Sequence, residues 1–168
     1  MGDDRVDVIL GQWARERPDL DASPLAVIGR LSRVTRQIED ALRINQRRFG
    51  LTPDEFDVLA TLRRGGDPFE MNPCDLGDSM MISSGTVTHR LDKLEKRGLV
   101  ARRPDPGDRR SVLVSLTPEG RELQDTAMVS HLELEARLLA GLSDRQRSEL
   151  ARLLKLLSTT AVVDDAEA

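Results

Sequence analysis

Residues 79–116 read SMMISSGTVTHRLDKLEKRGLVARRPDPGDRRSVLVSL, and a change of apolar period inside this stretch decides the fold. Val87, Leu91 and Leu94 recur at spacings of four and three and so share one side of a helix, whose row ends at Gly98. A glycine there can take the left-handed conformation that closes a helix, and Ser83 or Ser84 can cap the start by accepting a backbone N–H. Beyond Leu99 the period becomes two: Val112, Val114 and Leu116 alternate with Ser111, Leu113 and Ser115 as a mostly apolar strand would. Pro104, Pro106 and Gly107 supply a tight β connection, ringed by Arg102, Arg103, Arg109 and Arg110. Helix, strand, Arg-rich turn and strand, in that order, predict a winged helix-turn-helix: a mainly α fold with a small antiparallel β wing.

Charge agrees with that reading. The chain carries a formal net charge of −4, which argues against a nonspecific polyanion binder. Between Thr86 and Arg110, however, Lys and Arg outnumber Asp and Glu eight to four. One basic face on an acidic body suits a protein that meets double-stranded DNA in one orientation only. Guanidinium planes at a hairpin tip match phosphate oxygens and the narrow minor groove, so Arg109 and Arg110 are the wing candidates, with Asp108 placed to orient one of them. On the helix, Ser84, Thr86, Thr88, His89 and Lys93 are candidates for base edges and phosphates. Arg90 instead flanks the apolar row, about 60° from Val87 and about 40° from Leu94 at ~100° per residue, and can reach an inner pocket.

Outward from this core the start signals are regular. Thr52-Pro53-Asp54-Glu55 is a capping box that opens a helix burying Phe56, Leu59 and Leu62. Asn72-Pro73 opens the first helix of the helix-turn-helix, followed by Met80, Met81 and Ile82 packing at or near the turn. Ser23-Pro24 is read as cap and first turn of a long helix, and Thr117-Pro118-Glu119 starts another, running to about Ala140. From Ser143 a last helix carries Leu150, Leu153, Leu154 and Leu157, a stripe too apolar to stand alone in water. Near the start, Val6, Ile9, Leu10 and Trp13 share a helical face, which predicts an amphipathic helix ended by Pro18. Trp13 is the sole tryptophan, and its default role is a packing anchor.

The runs NPCDLGDSM and SSGTVTHRLDKLEKRGLVARRPDPGDRRSVLVSLTPEG resemble the core of the MarR family of bacterial transcription regulators, over roughly residues 50–125. That resemblance implies an obligate homodimer whose terminal helices interleave and hold two reading heads over a pseudo-palindrome. It divides a single domain, 1–168, into an extra N-terminal helix (4–17), dimerisation helices (24–49 and 118–160) and a DNA-binding lobe (52–116). The stretch around QWARERPDLDASPLAVIGRLSR is similar to the branch of the family that responds to urate and related anions. Within that branch the resemblance implies a ligand set matched here by Trp13, Asp57, Arg90 and Arg102, with Arg103 adjoining the last. The implied function is a regulator, in the first place a repressor, released from its operator by urate or a related purine. A phenolic or other organic acid, or oxidant sensing through Cys74, stays open as an alternative.

Other classes lack their residues. No nucleophile with a base, catalytic carboxylate pair, phosphate-binding glycine loop or metal cluster is apparent, so neither an enzyme nor a cofactor is expected. His89 and His131 are too few and too separated to suggest zinc. No apolar run approaches the ~20 residues of a membrane span, and no leader pattern opens the chain. The single Cys74 cannot form an intrachain disulfide; a reducing cytoplasm is the expected location.

Overall fold

The computed structural model describes residues 2–108 and 111–160. In chain order the elements are α1 (Arg5–Glu16), α2 (Leu25–Arg47), α3 (Pro53–Arg64), β1 (Glu70–Met71), α4 (Pro73–Met80) and α5 (Ser84–Lys96). They continue with β2 (Val100–Pro104), β3 (Val112–Leu116), α6 (Pro118–Leu138) and α7 (Asp144–Thr160). The sheet is antiparallel, in the order β1-β3-β2, with Arg102 opposite Val114 and Val100 opposite Leu116. It therefore has one strand more than the two expected. The addition, Glu70–Met71, pairs with Ser115 and Val114.

The capping chemistry is largely as the sequence dictates. Thr52 and Glu55 form a reciprocal box, the Glu55 amide donating to Thr52 Oγ1 at 3.2 Å and the Thr52 amide to Glu55 Oε2 at 2.9 Å. Asn72 caps α4 by accepting from the Asp75 amide at 2.8 Å. Thr117 caps α6 through the Gly120 amide at 3.0 Å, and donates its own hydroxyl to the Gly98 carbonyl at 2.8 Å. That last bond ties the start of α6 to the end of the α5 segment, where Gly98 has φ +69°.

Three local expectations are corrected. Ser83 holds the N-cap position of α5, yet its Oγ pairs with Thr86 Oγ1 at 3.0 Å and accepts no helix N–H. Pro24, not Ser23, is the N-cap of α2, and it has no side chain able to accept a bond. Met81 ends α4 in the left-handed conformation at φ 56° and is 92% exposed, so only Met80 and Ile82 of that trio pack inward.

The core lies beneath α5. Val58, Leu59 and Leu62 of α3, Leu76 of α4, Val87, Leu91 and Leu94 of α5 and Val114 of β3 are fully buried together. Burial of each such side chain is worth about 1.5–3 kcal/mol against exposure, so the apolar row of α5 fixes which face of that helix is left outward. The backbones of Leu99 and α6 meet so closely that a Cβ on Gly120 would overlap the Leu99 carbonyl oxygen. Away from this lobe the helices are thinly covered. In α1 only Val6 is buried, with Arg30 of α2 bonding Asp4 and Asp7 at 2.9 and 2.7 Å, and α7 buries no residue at all. No helix among the described residues is long and apolar enough to cross a membrane.

Candidate nucleic-acid interface and anion site

Because Val87, Leu91 and Leu94 face the core, α5 presents Ser84, Thr86, Thr88, His89 and Lys93 as exposed residues. Two of the hydroxyls are engaged locally, Thr86 with Ser83 and Thr88 with the Ser84 carbonyl at 3.1 Å. His89 and Lys93, one turn apart, project on the side away from the core row. At the tip of the hairpin the Asp105 amide donates to the Ser111 carbonyl at 3.1 Å and the Ser111 amide to the Asp108 carbonyl at 2.9 Å. Arg109 and Arg110 lie outside the described residues, and so does the guanidinium that Asp108 was expected to orient.

On one flank of α5, Arg90 is drawn inward. Its side chain is only 15% exposed, with Nη2 2.7 Å from Asp54 Oδ1 and Nη1 3.6 Å from Asp57 Oδ2. The expected pairing with Asp57 is present, but the closer partner is Asp54. The Arg90 Nε is buried without a hydrogen-bond partner. One turn of α3 thus grips α5 twice, for Glu55, adjacent to Asp54, pairs with Arg97 at 2.9 Å. Burial raises the Glu55 pKa, yet the Thr52 amide and the Arg97 guanidinium outweigh it and leave the carboxyl below its ordinary value.

Arg102 occupies the other flank. Its Nη1 lies 2.6 Å from Glu95 and its Nη2 2.7 Å from Asp92, with a longer bond of 3.5 Å to the Thr88 carbonyl. Residues 88, 92 and 95 fall about 140–200° around α5 from Arg90 at 100° per residue. Within one chain, then, Arg102 does not join Arg90 and Asp57. Arg103 is likewise committed, bonding Glu70 at 2.7 Å across the sheet. Trp13 is 43% exposed on α1, which packs against α2, so in the single chain it is not the packing anchor its apolar face suggested. Among the described residues no ring contact or hydrogen bond joins its indole to Arg90 or Asp57.

Two further candidates lie away from α5. His131 stacks on Phe56 with ring centroids 4.7 Å apart and pairs with Glu135 at 3.1 Å. Cys74 is exposed. No group of His, Cys, Asp and Glu able to hold a metal occurs among the described residues. Sequence reasoning missed Asp54, because its place in the capping turn gave it a role already. The signal was its spacing of three from Asp57, which puts both carboxylates on one face. Asp92 and Glu95 share the same three-residue spacing and were missed in the same way.

The MarR family model matches residues 51–112, the segment from α3 to the wing. HTH-type transcriptional regulator PecS of Dickeya dadantii is 44% identical over 149 residues, covering 89% of this chain and 90% of its own length. This chain belongs to the MarR family. As a MarR protein it is a DNA-binding transcription regulator and not an enzyme. Solved MarR relatives agree in fold: a mutant of Escherichia coli MarR complexed with operator DNA is 27% identical at TM-score 0.71, over 82% of this chain and 99% of that one. BpsR of Bordetella bronchiseptica, solved to explain regulation of its DNA binding by 6-hydroxynicotinic acid, is 30% identical at TM-score 0.69, over 79% and 92%.

Proposed function

We propose that this MarR protein is a homodimeric repressor that leaves its operator on binding a small planar anion, with urate or a related purine as the first candidate. In this reading α5 enters the major groove, with Ser84, Thr86, Thr88, His89 and Lys93 toward bases and phosphates, and Arg109 and Arg110 of the wing follow the neighbouring minor groove. Two such heads over a pseudo-palindrome require a dimer. The exposed leucines of α7, Leu150, Leu153 and Leu154, support one, as do Val27, Ile28 and Val34 along α2.

The observation that carries the anion switch is the guanidinium of Arg90, nearly buried, on the DNA-reading helix, and held by carboxylates from α3. An anion at this place competes for Arg90 and is repelled by Asp57, which displaces the helix that carries the arginine. Trp13 supplies the ring on which a flat ligand would stack once α1 or a partner subunit closes over it. Arg102 is left out of this single-chain ligand set because it binds Asp92 and Glu95 on the flank of α5 opposite Arg90. That BpsR responds to 6-hydroxynicotinic acid, itself a flat aromatic acid, favours this ligand chemistry.

The test is a urate titration followed by Trp13 fluorescence, corrected with free tryptophan for absorption by the ligand. Saturable quenching that Arg90→Ala abolishes is expected. Quenching that is unsaturable, or unchanged in Arg90→Ala, would remove urate from this site.

A further inference from the structure

The wing is a two-stranded hairpin that leaves the core at Val100 and Val114, both buried, and ends in arginines proposed to meet DNA. Beyond Val114 it has no third strand beside it among the described residues, because β1 pairs only with Ser115 and Val114 of β3. Arg102, opposite Val114 in the register, is the residue at which β2 is tied to α5. Its guanidinium spans Thr88, Asp92 and Glu95, one continuous stripe that begins at a residue facing the DNA and runs about 10 Å along the helix. The side chain is 25% exposed and its two carboxylate contacts are 2.6 and 2.7 Å, a fork geometry that a lysine could not reproduce. Both carboxylates would otherwise stand unbalanced beside the phosphates that α5 approaches.

We infer that Arg102 is a positioning residue for operator binding: it fixes the angle between the wing and the recognition helix and neutralises Asp92 and Glu95, without touching the DNA. This rests on the reading of α5 and the wing as the DNA-contacting elements. A phosphate-binding arginine and a strut are distinguishable by salt. Removing a side chain that neutralises one phosphate lowers the log–log salt slope by about 0.9, whereas removing a strut weakens binding with the slope kept. They also differ in coupling, because a strut has no function once the groups it braces are gone.

The experiment is a cycle of four proteins: wild type, Arg102→Met, the Asp92→Asn/Glu95→Gln pair, and all three changes together. Affinity is measured over a salt series for a duplex selected by the wild-type protein from a random pool, with circular dichroism as the check on folding. Arg102→Met is expected to weaken binding about five- to tenfold at unchanged slope, and to cost less than about twofold when added to the carboxylate variant. The combined variant leaves no carboxylate unpaired at this place, so should Arg102→Met alone unfold, the step from the carboxylate variant to the combined one still tests the strut: a loss there above about twofold, with a smaller slope, overturns it. An equal loss in both backgrounds, with a slope smaller by about 0.9, would make Arg102 a phosphate ligand and overturn the strut. Lys93→Ala, run alongside, separates the two levels of inference: a lower slope there with no effect of Arg102→Met refutes the strut alone, and no effect of either refutes the assignment of α5 as well.

Discussion

Arg90 and Asp54 form the shortest ion pair between α5 and α3 among the described residues, 2.7 Å between Nη2 and Oδ1, nearly an ångström closer than Arg90 to Asp57. The proposed anionic ligand therefore has two carboxylates to displace, and they are not equivalent. Asp54→Asn removes a competitor and should shift operator release to lower urate, by about two- to fivefold given how exposed Asp54 is. Asp57→Ala removes the group that the ligand repels and should leave a protein that binds operator but releases less of it at saturating urate. Fluorescence anisotropy of a labelled duplex reads both. Identical shifts in the two variants would mean that the carboxylates act only as competitors.

Arg109→Ala should weaken operator binding and lower the salt slope by about 0.9, with the urate midpoint unaltered. A full salt series rather than a single affinity is needed, since the slope counts the phosphates neutralised. Wild-type binding in this variant would remove the wing from the interface.

Gly120 is not replaceable. A methyl group there would overlap the Leu99 carbonyl oxygen, and both partners are backbone, so neither can rotate aside. Gly120→Ala should cost about 2–4 kcal/mol in urea unfolding, although alanine favours helices and would stabilise an open position. A neutral result would show that α6 can lift from the sheet freely.

The Glu55 carboxyl titrates below its ordinary value in the folded chain, so its contribution is fully present above the unfolded pKa of about 4.3 and is lost as pH falls through the depressed folded value. Acid unfolding of Glu55→Gln should accordingly be shallower than that of the wild type in this window, while the two run parallel near neutrality at a constant offset. Parallel curves down into acid would show that the Thr52 and Arg97 contacts carry no net charge stabilisation.

What could be read before folding was whatever the chain encodes locally. The spacing of Val87, Leu91 and Leu94, the box at Thr52 and Glu55 and the left-handed Gly98 are all properties of a few consecutive residues, and each appears in the fold. The strand at Glu70–Met71 escaped because two residues have no period; their pairing is imposed by β3. Ser83 takes the expected N-cap position without the expected bond, because a hydroxyl three residues on offered a competing one. Arg102 looked like a ligand residue by resemblance, and only the register of β2 against β3 and α5 shows which carboxylates it meets. Trp13, exposed on α1, could not be placed from its apolar row, because that row says which residues share a face and not what covers the face.

The paired grip of α3 on α5 has a mechanical consequence. Arg97, at the C-terminal end of α5, is held by a buried glutamate, whereas Arg90 is held by two carboxylates open to water. The first is the fulcrum and the second the point where force is applied. Arg90 lies about 10 Å along the axis from Arg97, and Ser84 about 20 Å. In the proposed switch, a ligand that pushes Arg90 by one distance therefore moves the leading turn of the helix by roughly twice that distance, so a side-chain-sized displacement at Arg90 would reach the DNA as a change in how deep α5 sits in the groove.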